Sequence, residues 1–293
     1  MVFQIIINSL ITGSIYSLIA SSFSLIYSTC KFVNLGHGAA ISIGAYLLFY
    51  SLQTLHLSFP VSILVAITSS VLLGLLMNQF FYKNLRKRKV SNAILLVASF
   101  ALLVLFESII QIIFGSDIHI VELSKHVQVF QFYGAKITAV QISVLVTTLI
   151  LFIILTFFFR RSKIGREMRA VADNKEVAEL NGISIEKTYR TSFILGSIIA
   201  GICAIFVGLE YNISPAMGSK LIMKGFIGSI IGGIGSVPGS IIGSLLLGIA
   251  ENLSVLFLPS SYKDVVVFAL LLIFLLFRPQ GILGIKREET EKC

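Results

Sequence analysis

Long apolar runs separated by short polar breaks fill almost the whole chain. The runs fall at 5–27, 34–51, 59–82, 90–114, 137–159, 191–211, 221–257 and 264–277. Several exceed the roughly 18 apolar residues that mark a membrane-spanning helix. Backbone groups in lipid must be satisfied within the span, so the runs predict an all-α polytopic integral membrane protein with about eight hydrophobic segments. Pro60 stands in the first turn of the third run, where its missing N–H costs little. The run 221–257 is too long for one crossing, since about 20 residues traverse the hydrocarbon. GGIGSVPGS breaks it, with Gly232, Gly233, Gly235, Pro238 and Gly239 as the interrupting residues. The piece before the break is short, so both a half-helix and a full crossing are open.

The largest polar interruption, 160–190, carries eight Lys/Arg and five Asp/Glu in 31 residues. It predicts a short helix over 174–181. Asp173 is the expected N-cap, Glu176 its capping-box partner, and Gly182 the left-handed residue after the end, followed by the apolar Ile183. Such a helix outside the lipid is either a docking element for another protein or a tidy loop.

Composition and charge then set orientation. Mean hydropathy is +0.95 and the formal net charge +9. The cations sit at the ends of apolar runs, which fits the positive-inside rule better than a nucleic-acid face, so no nucleic-acid partner is expected. With the broken run counted as two crossings, Lys31, the five cations of 83–89, the eight of 160–190 and the four after Phe277 share one side. Together they hold 18 of the 23 Lys and Arg, so that side is cytoplasmic, with the N-terminus out and the C-terminus in. Lys220 and Lys224 are the exceptions, near the outer face. Residues 1–293 form one transmembrane domain, and the first run is expected to be retained rather than cleaved as a signal peptide. Cys30, Cys203 and Cys293 lack metal-ligand spacing and suggest no disulfide framework.

The chemistry is sparse. No Walker A loop, HExxH or Gly-x-Ser-x-Gly occurs, so neither ATP binding by a P-loop nor hydrolysis is indicated, and no metal or cofactor is expected. Ionisable residues within spans are costly, about 2.5–3.5 kcal/mol each at a helix centre. The candidates are Glu107, Glu210 and Glu251, the last beside Asn252. Glu251 lines a wet path, binds a partner helix, or belongs to a structural ion pair. Asn34 and His37, at the start of the second run, cap it, pack it or contact substrate. Gly228/Gly232 and Gly235/Gly239/Gly243 are spaced for close helix packing.

Taken in order, ITGSIYSLIASSFSLIYS, NLGHG, IGAY, SKIGREMRAVADNKEVAELNGI, GGIGSVPGSIIGSLLLGIAENL and SYKDVVVFALLLIFLLFRPQGILG resemble the integral membrane permease of bacterial branched-chain amino-acid ABC importers, of the LivH type. Gly36 stands where that family usually has alanine in Asn-x-Ala-His-Gly, leaving Asn34 and His37 in place. The resemblance implies a multi-pass protein of the bacterial plasma (inner) membrane that is not itself an enzyme. Its expected partners are a second similar permease, ATP-binding subunits at the cytoplasmic face and an external substrate-binding protein. It implies that 160–190 is the coupling loop, with Val177 and Leu180 as apolar contacts and Arg166 and Arg169 as charge partners. Asn34, His37, Glu251 and Asn252 become candidates for the translocation path. Related permeases carry urea, short amides or other amino acids. An ion-coupled secondary transporter and a membrane scaffold are the readings from other classes.

Overall fold

The computed structural model describes residues 2–121, 128–132 and 134–284. The cations of the tail beyond Gly284, Cys293 and part of the polar connection after Gly115 lie outside them.

Seven helices among the described residues are long and apolar enough to cross a membrane. They are α1 (Val2–Cys30), the continuous rod of α3 (Phe59–Leu76), a π-wound turn (Met77–Tyr82) and α4 (Lys83–Lys87), then α5 (Asn92–Phe114), α6 (Ala139–Arg161), α9 (Ile185–Glu210), α11 (Val237–Leu253) and α12 (Lys263–Phe277). Two shorter helices, α2 (His37–Phe49) and α10 (Met217–Gly232), complete the bundle. Helices α7 (Lys163–Asp173) and α8 (Lys175–Leu180) make up the interruption between α6 and α9. A hairpin of β1 (Val129–Phe132) and β2 (Ala135–Thr138), paired antiparallel from Val129 opposite Thr138, leads into α6.

Helix α1 runs through the middle, buried from Gly13 to Ile26 and packed on α9, α10 and α11. Small residues make that contact close. A Cβ on Gly13 would lie 3.0 Å from the Leu245 backbone, and the Ser17 hydroxyl donates 3.0 Å across to the Ile241 carbonyl. Helices α6 and α12 are peripheral, with only Val144, Thr148 and Leu155 buried on the first and Val267 on the second. Nearly all-apolar helices exposed in this way face lipid or another membrane chain.

The second run departs from expectation. Ten of the thirteen residues of α2 are buried, and the helix starts deep in the bundle instead of at the cytoplasmic face. His37 hydrogen-bonds the Gly196 backbone, about 16 Å along α9 from Ile185 at 1.5 Å per residue. The non-helical stretch 31–36 therefore travels inside protein, where irregular backbone needs local partners. Ser99 of α5 supplies them: Leu35 N donates to its hydroxyl (3.1 Å), which donates to the Val33 carbonyl (3.2 Å).

Helix α10 is likewise a partial crossing of sixteen residues. Its first turn lies beside the first turn of α2, where a Cβ on Gly38 would meet the Gly218 carbonyl at 2.6 Å. The buried N-terminus of α10 has no side-chain cap from its own Ala216. Glu107 of α5 fills that role, accepting from Ser219 N at 2.9 Å. At the other end the chain breaks after Gly232. Gly233 has φ +113, a backbone conformation that disfavours a side chain, and it packs against Gly284. Ser236 then caps α11 by accepting from Gly239 N (3.2 Å), with Pro238 in the first turn. The returning hairpin packs Gly228 on Ser244 and Gly232 on Gly239, while Gly235 sits in the turn near Tyr27.

Candidate functional site

The basic interruption folds onto the end of the bundle. Ser162 caps α7, its hydroxyl accepting from Gly165 N at 2.9 Å, and turns the chain sharply out of α6. Gly165 lies flat against the backbone of Phe158 and Phe159, where a Cβ would come within 2.6 Å of a carbonyl. Met168 and Val171 are buried beneath, which fixes α7 on α1, α6 and α9. Arg166 and Arg169 lie exposed on α7, and Arg166 Nη1 reaches back to the Arg161 carbonyl at 3.1 Å.

Helix α8 is capped at both ends. Its N-cap is Asn174, not Asp173, which is the last residue of α7. The reason is local: the extended conformation belongs to Asn174 (φ −148, ψ 114). Its Oδ1 accepts from Glu176 N (3.0 Å) and Val177 N (3.1 Å). Glu176 is thereby a first-turn acid that complements the helix dipole instead of a capping-box partner. At the C-terminal end Gly182 adopts φ +78. Ile183 N bonds the Ala178 carbonyl (3.0 Å) and Gly182 N the Glu179 carbonyl (2.9 Å), the paired bonds of a Schellman motif.

Ala178 is the buried anchor of this helix, while Val177 is 52% and Leu180 88% exposed. The Lys175 ammonium lies over the Tyr189 ring, 5.7 Å from its centroid. Arg86 stacks on the same ring at 4.7 Å and pairs with Glu186 (3.1 Å) and Asn78 (2.9 Å). That cluster ties the basic end of the α3–α4 rod to the start of α9.

The other candidates sit apart from this surface. Asn34 is 1% exposed and accepts from the Tyr82 hydroxyl at 2.7 Å. His37 is equally buried, and both Asn34 Nδ2 and His37 Nε2 have no hydrogen-bond partner among the described residues. Glu251, 4% exposed, forms an ion pair with Lys224 (2.9 Å) and accepts from the Tyr16 hydroxyl (2.9 Å). Lys224 also donates to Tyr16 (3.0 Å) and pairs with the exposed Asp264 (3.1 Å), while Lys263 donates to Asn252 at 3.3 Å. One charged knot therefore joins α1, α10, α11 and α12.

Sequence reasoning missed α7, the Arg86–Glu186 tie, the Glu107 cap and the role of Lys224. Two of these carried a signal. Ile164, Met168 and Val171 have helical spacing within the interruption, and a lysine within an apolar helix requires a counter-ion.

Comparison with known proteins extends the geometry. Residues 5–275 match the family model for the branched-chain amino acid transport system / permease component. The chain is 33% identical to the high-affinity branched-chain amino acid transport system permease protein BraD of Pseudomonas aeruginosa, covering 99% of this chain and 97% of the relative. Identity and coverage are the same for LivH of Escherichia coli. A solved structure, PsaBC from Streptococcus pneumoniae in complex with Fab, shares the fold with TM-score 0.51 and 12% identity, over 93% of this chain and 91% of that one. With membrane-length apolar spans, a family model matched over residues 5–275 and near full-length similarity, the chain belongs to the branched-chain amino acid transport permease family.

Proposed function

We propose that the chain is the membrane-spanning permease subunit of an ATP-binding-cassette importer in a bacterial plasma membrane, carrying leucine, isoleucine and valine handed over by an external binding protein. A second similar permease completes the path, and separate ATP-binding subunits dock at the cytoplasmic face. The observation that carries this reading is α8, a helix fixed at both ends that presents Val177 and Leu180 to solvent. Exposed aliphatic residues on a rigid, non-membrane helix suit the groove of a partner protein. Arg169 supplies a charge partner beside it. ATP-driven closure of the partners would push on α8 and, through α7 and the start of α9, on the central helices.

Asn34, His37, Glu251 and Asn252 are read here as groups that fix the helices flanking the path. Each is at most 8% exposed, and Glu251 already has its cation. Selectivity then rests largely with the binding protein.

The test is uptake of labelled leucine and of labelled urea by cells carrying Val177→Asp/Leu180→Asp. Leucine uptake falls to background while the amount of chain in the membrane is unchanged. Normal uptake by the double variant would sink the coupling role of α8, and uptake of urea in preference to leucine would sink the substrate.

A further inference from the structure

Two recesses flank the elbow where α6 gives way to α7. The first, about 520 Å³, is lined by Ile153, Ile154, Phe157 and Phe158 and closed at its lower rim by Arg161 and Ser162. Its lining is almost wholly apolar, on a helix face exposed to the membrane. The second, about 640 Å³, opens on the cytoplasmic side of the same elbow, with Lys163, Arg166, Glu167, Gly182, Ser184 and Lys187 among its lining. The Arg166 side chain, bonded to the Arg161 carbonyl, bridges the two. Arg161, Lys163, Arg166 and Lys187 stand against the single carboxylate of Glu167. Among the described residues none of these four cations forms an ion pair.

From these features we infer that the α6–α7 elbow is a binding site for an anionic phospholipid of the cytoplasmic leaflet. An acyl chain would lie along Ile153, Ile154 and Phe157, with the phosphate held by Arg161, Lys163 and Arg166. The occupant follows from chemistry. A hydrocarbon groove at membrane depth that ends in a cluster of unneutralised cations matches a molecule with a greasy tail and a negative head. Basic pockets beside spans on the cytoplasmic side take anionic headgroups for the same reason. A soluble anion would leave the groove empty, and a zwitterionic lipid would leave the cations uncompensated. Neither Val177 nor Leu180 lines either recess, although the second borders the C-terminal end of α8 at Asn181 and Gly182. The inference needs the chain's place in a membrane and not its substrate.

The test is native mass spectrometry of the purified full chain, exposed to equal amounts of dioleoyl phosphatidylglycerol and dioleoyl phosphatidylcholine. Phosphatidylglycerol is retained preferentially. Arg161→Gln/Lys163→Gln lowers its retention about thirtyfold, the factor that two interfacial cations supply. The double variant leaves phosphatidylcholine unchanged. Arg88→Gln/Lys89→Gln, which removes the same charge from another exposed part of the cytoplasmic end, retains the lipid. Dihexanoyl phosphatidylglycerol, too short to fill the groove, binds more weakly. Equal retention of both lipids, equal loss in the two double variants, or full displacement by millimolar inorganic phosphate would each overturn the site. So would release of the lipid on adding the ATP-binding subunits, which would give the surface to protein.

Discussion

Lys224 shows how one side chain alters the reading of several others. In the sequence it is a stray cation near the outer face, and Glu251 is a costly acid with no evident partner. In the fold each neutralises the other at 2.9 Å, with the Tyr16 hydroxyl completing the contact to both. Removing one member of a buried pair leaves an uncompensated charge, which costs about 3–5 kcal/mol, whereas removing both can be nearly neutral. Lys224→Met and Glu251→Leu should therefore each lower the thermal stability of the purified protein, and the double variant should recover most of the loss. Size-exclusion profiles after stepwise heating would measure this, and additive losses in the double variant would deny the pairing. The pair was illegible because Lys224 and Glu251 lie on different helices, and nothing local to either residue says which faces of α10 and α11 meet.

At the scale of the element, α8 gives a sharper lesson. Its existence, extent and glycine terminator follow from Gly182 and the run 174–181, because a left-handed terminator and a polar cap are local signals. The identity of the cap does not follow. Asp173 and Asn174 are adjacent and both residue types cap well, and only the end of α7, set by burial of Met168 and Val171, decides between them. Six residues make a marginal helix alone, so the cap matters. Asn174→Ala should cost about 1 kcal/mol and speed amide exchange across residues 176–180. Asn174→Asp should preserve protection, and Asp173→Ala should leave it unchanged. Fast exchange in the Asp173 variant instead would return the cap to that residue. The depth of Asn34 and His37 was beyond reach for another reason. A polar start to an apolar run looks the same at a membrane surface as inside a bundle, and Ser99, which satisfies the backbone there, is more than sixty residues away.

For the whole molecule, apolar runs were sufficient to give the class and the order of the spans. Seven candidate spans stand on the apolar runs, while α2 and α10 are partial crossings that hydropathy alone did not separate from full ones. The orientation makes a direct prediction. Cys30 and Cys203 are buried, so in a chain carrying Cys293→Ser, new cysteines can be read against a low background. Lys175→Cys should react with a membrane-impermeant maleimide only after the cells are opened, and Asp117→Cys in intact cells. The reverse pattern would invert the topology.

The break after Gly232 also sets an order of events. The last two carbonyls of α10 are closed neither within that helix nor by the turn that follows it. They accept from Ile282 N and Leu283 N, each at 2.9 Å, from the segment just past α12. During synthesis α10 emerges some fifty residues before its own end can be sealed, and α11 and α12 must both be in place first. Completion of α10 is therefore gated by the segment just past α12. A chain ending just after Phe277 would hold every span and still leave the end of α10 unfinished.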